Sequence, residues 1–297
     1  MNKLQGLRGS IVALVTPFHQ DGSVNFERLR QWVEWHIENK TDGILALGTT
    51  GESSTMTHEE DDAVLRCVVE TAAGRVPVIA GTGSNCTETM LEKSRRAQAL
   101  GADGLLLISP YYNKANAEGM YRHFATVADQ VDLPAILYNV PGRTGCSISV
   151  EVLERLHSHP NIAGIKEASG DMSYAMKIAH LVGDDFALWS GNDDITIPLL
   201  SIGGSGIISV WANIMPRQCH DMVMNFLEGD RKAAVDAALR YLPLMNGLFI
   251  EVNPIPVKTA MNRMGMEAGP FRLPLCEMDS AHQAALEKLM EEAGLLA

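Results

Sequence analysis

Short runs of apolar and β-branched residues recur along the chain about every 25–30 residues, the spacing of repeated strand–helix units. In order they are "SIVALVTPF", "GILALGTTGE", "VPVIAGTGSN", "GLLLISPYYN", "PAILYNVPG", "IAGIKEASG", "FALWSGND" and "GIISVWAN". They are continuous rather than alternating with polar residues, the pattern of strands covered on both faces of a parallel sheet. Between them, apolar residues return with helical period, as in "FERLRQWVEWHIENK", "HEEDDAVLRCVVETAAG" and "TETMLEKSRRAQALGA". Eight such strands with intervening helices predict an α/β fold, a (β/α)8 TIM barrel. A doubly wound open sheet would need a phosphate fingerprint after its first strand, and "TPFHQDG" is not one. The barrel is complete by about Asn213, and its last helix starts at Pro216. Helical pattern continues through "DRKAAVDAALRYLPLMNGLFI" and "SAHQAALEKLMEEAG" with no proline- or serine-rich linker. The expected division is a catalytic barrel over residues 1–227 and a helical domain over 228–297 packed on it.

Charge narrows the partners. A net charge of −12 argues against nucleic acid and against anionic membrane surfaces, while leaving room for an anionic small substrate held by local arginines. Cys67, Cys86, Cys146, Cys219 and Cys276 are scattered, odd in number and without a CxxC pair. That suits free thiols in a reducing cytosol. No stretch approaches the roughly 20 apolar residues of a membrane span, and "MNKLQGLRGSIVALVTPF" lacks a small-residue cleavage site, so a soluble cytoplasmic protein is expected. No HExxH motif or Cys/His ligand spacing is present, so no catalytic metal is expected.

Chemistry in a barrel of this type sits where strands run into the following loops. The polar residues there are Thr16, Thr49, Thr50, Glu52, Thr82, Tyr111, Tyr112, Tyr138, Asn139, Arg143, Lys166, Glu167, Ser190 and Asn192. Lys166 ends an otherwise buried strand, and two readings stand. Its amine is held by a carboxylate such as Glu167, or it is a Schiff-base lysine. An ordinary lysine offers only about one neutral amine in a thousand at neutral pH, and a desolvated barrel mouth raises that fraction. Lys93 and Lys177 fall in helices and Lys258 in the helical extension, which sets them aside. Tyr138 ends the neighbouring strand, either as a packing aromatic or as a proton shuttle. "GTTGES" offers hydroxyls and backbone N–H groups for a small carboxylate, or simply caps a helix. Arg143 is a solvated loop residue or a bidentate clamp for a carboxylate. "GGSG" at 203–206 precedes the eighth strand, so it reads as a tight turn on the opposite face. His157 and His159 lack a third ligand and read as loop residues, and the 15 methionines as core and interface filler.

The ordered motifs "ALVTPF", "GTTGES", "IAGTGSN", "SPYYN", "YNVPGRTG", "GIKEASG", "SGND", "GGSGIISV" and "NPIPVK" run nearly the whole chain. It resembles the dihydrodipicolinate synthase family, within the pyruvate-dependent class I aldolases that also contain N-acetylneuraminate lyase. The resemblance implies a barrel with a C-terminal helical domain, a homotetramer built as a dimer of dimers, and condensation of pyruvate with aspartate semialdehyde. It implies no external cofactor, the covalent link being a Schiff base of pyruvate on Lys166. Tyr138 relays protons, assisted by Thr50 and by Tyr112, which reaches into the neighbouring subunit's site. Thr49, Thr50 and the backbone at Ile208 hold the pyruvate carboxylate, and Arg143 binds that of the semialdehyde. "GTTGE" and "PGRTG" favour the synthase over lyases of long sugar acids. The alternatives are a pyruvate aldolase for another aldehyde or 2-keto sugar acid, and a catalytically silent barrel. An allosteric lysine pocket carries over to Ser53, His58, Asn85 and Tyr111. Asp61 stands where lysine-sensitive members often have histidine, and Thr89 where a glutamate grips the lysine ammonium, so weak inhibition or none is expected.

Overall fold

The computed structural model describes residues 4–296. Eight parallel strands close into a barrel in sequence order. They are β1 (Gly9–Ala13), β2 (Gly43–Ala46), β3 (Val78–Gly81), β4 (Gly104–Ile108), β5 (Ala135–Asn139), β6 (Ile162–Glu167), β7 (Ala187–Ser190) and β8 (Gly206–Ser209). Alternate side chains of each strand face the interior and the helical layer, and both faces are covered, which is why the strands read as unbroken apolar runs. Ile11, Leu45, Ile79, Leu106, Ile136, Trp189 and Ile208 fill the interior. Val12, Ile44, Val78, Leu105, Leu137, Leu188 and Ile207 pack outward under the helices. Leu4 plugs the N-terminal end so tightly that a Cβ at Gly104 would lie 2.5 Å from its Cδ1.

The helices form where the pattern places them. In Phe26–Glu38 the buried residues Leu29, Trp32, Val33 and His36 repeat at helical spacing, and the Asn25 side chain caps the first turn. Thr57 and Glu60 form a reciprocal capping box that starts His58–Ala72. Pro216–Glu228 packs on β1, and Arg231–Gly247, Ile255–Arg263 and Ser280–Glu292 follow it. None of the helices is long and apolar enough to cross a membrane among the described residues.

One strand departs from simple alternation. Ala135 pairs with Ile162 but Ile136 pairs with Gly164, so β6 carries one residue more than β5 at that point. The extra residue shifts the phase of the strand. Ala163 and Lys166 both face inward, whereas strict alternation from Ala163 would turn Lys166 out among the helices. Gly164 makes this possible: its φ is +152°, and a Cβ there would lie 2.1 Å from the Ala187 carbonyl oxygen.

Candidate active site

The phase shift sets Lys166 beside Tyr138, its register partner on β5. The Lys166 Nζ lies 4.4 Å from the centre of the Tyr138 ring. Both residues are buried, at 5% and 8% exposure. Among the described residues the amine has neither a hydrogen bond nor an ion pair. Burial pushes it down from 10.5 to about 7, with Asp193 pulling it up and Arg143 pushing it down further. Burial also raises the Tyr138 hydroxyl to about 12, so it stays protonated at neutral pH. Room for the lysine comes from Gly191, where a Cβ would lie 3.0 Å from Lys166 Cε and 2.5 Å from the Ala168 Cβ.

Glu167 is not the partner of Lys166. Adjacent strand residues face opposite ways, and Glu167 turns outward to accept from Asn139 Nδ2 at 2.7 Å and from the Ser169 N–H at 2.6 Å. The carboxylate that acts on Lys166 is Asp193, a residue absent from the strand-end inventory. Its carboxylate accepts from Ser209 Oγ at 2.5 Å and from the Trp211 N–H at 3.0 Å, and burial holds it up at about 6.

Thr49 and Thr50 sit in a single 3-10 turn after β2. Thr50 Oγ1 accepts from Asn253 Nδ2 at 3.0 Å, leaving its own hydroxyl proton to donate. Arg143 lies in the short helix Pro141–Thr144 after β5 and donates through Nη2 to the Asn253 carbonyl at 3.0 Å. Asn253 therefore ties the β2 turn to the β5 loop, which the sequence signalled only as the start of "NPIPVK". Ile208 lies one residue before the end of β8, fully buried in the barrel interior.

Other strand-end residues lock structure. Thr16 donates to the Gly51 carbonyl, Thr82 pairs with Ser94, and Ser190 donates to the Asn192 carbonyl. Tyr111 and Tyr112 project from the β4 loop. Tyr112 is 91% exposed and has φ +70°, and among the described residues its side chain has no hydrogen bond, ion pair or ring contact. The N–H groups of Gly203, Gly204 and Ser205 all donate to carbonyls, so "GGSG" is a closed turn before β8 with no amides free for an anion. His157 bonds the Glu154 carbonyl and His159 meets Asp129 on the surface. Among the described residues, no cluster of three or more metal-ligating side chains is present.

Of the residues carried over as an allosteric pocket, His58 opens the helix His58–Ala72, and Asn85 and Tyr111 lie in the loops after β3 and β4. His58 is exposed against Arg96, Ser53 follows the Thr49–Gly51 turn, and the Asn85 carbonyl takes a hydrogen bond from Asn113. Asp61 is buried there, with Lys93 Nζ 3.0 Å from its carboxylate, so an ammonium of the chain itself already faces it.

Lys258, set aside above as a Schiff-base candidate, is a second buried lysine. Lys258 has no exposure, and its Nζ lies 2.6 Å from Glu52 Oε1. The ammonium also stands 4.1 Å from the ring centre of Phe18. Burial brings it down to about 8 despite the pull of Glu52. Glu52 itself is in a left-handed conformation, φ 56° and ψ 29°, which a non-glycine residue adopts only at a cost of about 1 kcal/mol or more. The ion pair offsets that cost.

The model of the dihydrodipicolinate synthetase family matches residues 6–293. Over 289 residues the chain is 50% identical to a 4-hydroxy-tetrahydrodipicolinate synthase of Clostridium perfringens, covering 97% of this chain and 99% of that one. A crystal structure of dihydrodipicolinate synthase from Aquifex aeolicus is similar at TM-score 0.94 and 44% identity, over 97% of this chain and 98% of that one. The chloride-inhibited dihydrodipicolinate synthase from Acinetobacter baumannii, complexed with pyruvate, is similar at TM-score 0.95 and 42% identity, over 98% and 100% of the two chains.

Proposed function

This chain belongs to the dihydrodipicolinate synthetase family, and from that membership we propose how its barrel mouth carries the reaction. The reaction is a Schiff-base condensation of pyruvate with L-aspartate 4-semialdehyde to 4-hydroxy-tetrahydrodipicolinate, in lysine and diaminopimelate biosynthesis. One observation carries the roles: the Lys166 amine is buried, unpaired and poised at about 7. Half of the molecules then hold a neutral nucleophile at neutral pH.

The Lys166 nitrogen attacks the pyruvate ketone carbon, and the ketone oxygen leaves as water, giving an imine. Loss of a proton from C3 converts the imine to an enamine, whose carbon bonds to the aldehyde carbon as the aldehyde oxygen takes up a proton. The amino group of the semialdehyde then adds to the regenerated imine carbon, closing the ring and expelling the Lys166 amine. Tyr138, held in its phenol form, passes the protons that these steps release and consume, with the Thr50 hydroxyl assisting. Thr49, Thr50 and the backbone at Ile208 hold the pyruvate carboxylate. Arg143 takes the carboxylate of the semialdehyde, its charge close enough to bear on both Tyr138 and Lys166. The covalent chemistry belongs to Lys166 and needs no external cofactor. The division into a barrel over 1–227 and a helical domain over 228–297 is part of the same proposal.

A coupled assay with both substrates tests it, run beside cleavage of N-acetylneuraminate, which the enzyme should not support. Arg143→Ala is the sharper variant. Losing a charge-assisted contact of about 1.5–3 kcal/mol should lower kcat/KM for the semialdehyde by about one to two powers of ten. Borohydride trapping of pyruvate should continue in this variant. Equal loss of trapping and semialdehyde use would make Arg143 a structural residue.

We also assign Tyr112 to the site of a neighbouring subunit in a homotetramer. An aromatic side chain 91% exposed on a strained backbone has little reason to exist in a free monomer. Sedimentation at assay concentration should find an assembly, and Tyr112→Phe should lower turnover while the assembly persists. A fully active monomer would reject the shared site.

A further inference from the structure

We propose that Asn253 is a positioning residue that sets the distance between the two substrate subsites, held in place by the Lys258–Glu52 ion pair. The inference rests on the roles given above to Thr50 and Arg143. Asn253 meets them through different atoms: its side-chain Nδ2 donates to Thr50, and its backbone carbonyl accepts from Arg143. The residue is only 6% exposed, and its Oδ1 is buried without a hydrogen-bond partner. The amide is thus oriented by the Thr50 contact alone. Five residues later, Lys258 lies in the helix Ile255–Arg263, buried and bonded to Glu52. Glu52 follows Thr50 by two residues and also accepts from the Arg272 N–H at 3.3 Å. The segments 50–52 and 253–258 are therefore pinned together twice, across about two hundred residues of chain. Thr50 cannot shift toward or away from Arg143 without breaking one of these links.

The division of labour between side chain and backbone makes the role separable from a purely structural one. Asn253→Ala removes the link to Thr50 and keeps the carbonyl that receives Arg143. In a Schiff-base enzyme, pyruvate reacts before the aldehyde binds, so kcat/KM for each substrate reports its own half-reaction. Asn253→Ala should lower kcat/KM for pyruvate by about tenfold or more, and that for aspartate semialdehyde, whose carboxylate Arg143 still holds, by a clearly smaller factor. Asn253→Ser, which keeps a hydrogen-bonding group, should recover part of the loss and serves as the test if the alanine variant does not fold. Borohydride trapping in the unaltered enzyme comes first. No adduct at Lys166 would sink the roles assigned to the site. An adduct in the unaltered enzyme, followed by parallel losses for both substrates or by no loss, would overturn the positioning role of Asn253 alone.

Discussion

Borohydride reduction in the presence of pyruvate should place one reduced pyruvyl group on Lys166, and Lys166→Met should lose turnover by at least about 10⁴-fold. The trapping rate should rise with pH and level off above about 7, because only the neutral amine attacks a ketone. The same substitution should make the protein more stable. The folded amine titrates at about 7 against 10.5 for an exposed lysine, so the folded state binds its proton less tightly than the unfolded chain does. That cost is present in full below pH 7 and disappears as the pH rises from 7 to 10.5. Removing it should gain roughly 1–4 kcal/mol at neutral pH, read by thermal melting. Labelling on another lysine, or turnover within tenfold of the unaltered enzyme, would show that Lys166 is not the nucleophile.

Lys258→Met should act in the opposite direction. It leaves the Glu52 carboxylate buried with no ammonium beside it, an imbalance worth about 3–5 kcal/mol. For a chain of this size that corresponds to a fall in Tm on the order of 10 °C. Adding Glu52→Gln removes the stranded charge, so the double variant should regain most of the loss, and the two single effects should be far from additive. Losses that simply add, or a single variant within about 1 kcal/mol of the unaltered protein, would show that the pair is not an electrostatic anchor. Two lysines with similar burial therefore differ in one respect. Lys258 has a carboxylate within bonding distance and Lys166 does not, and that difference separates the proposed anchor from the proposed nucleophile.

The barrel and Lys166 were legible because each rests on local signals: unbroken apolar runs for doubly covered strands, and a cation at the end of one of them. The environment of Lys166 was not. Its strand neighbour Glu167 is the partner that proximity in sequence suggests, but pleating turns the two to opposite faces, and the carboxylate that acts on it is Asp193 on another strand's loop. Asp193 is positioned by Ser209 and Trp211, residues 16 and 18 further along, which no reading of "SGND" alone connects. The burial of Lys258 was not legible for the same reason, because its partner Glu52 lies 206 residues away. Asn253 contributes one side-chain and one backbone bond, and the backbone bond leaves no mark on residue identity at all.

The extra residue in β6 also bears on how such a site is inherited and transplanted. Along a strand, side chains follow a two-beat rhythm, and a nucleophile is defined by its beat as much as by its identity. Here that beat is set upstream, at Ala163 and Gly164, by a backbone bulge rather than by any side chain that touches the chemistry. A chain that kept the extra residue but lost the bulge would retain Lys166, Tyr138, Thr50 and Arg143 in name, yet strict alternation from Ala163 would present the lysine to the helices and an isoleucine to the pocket. Substitution tables and motif matches would score such a chain as intact. The site is in this sense written in backbone geometry as well as in residue identity, and Gly164, two residues from the lysine, sets which way the lysine faces.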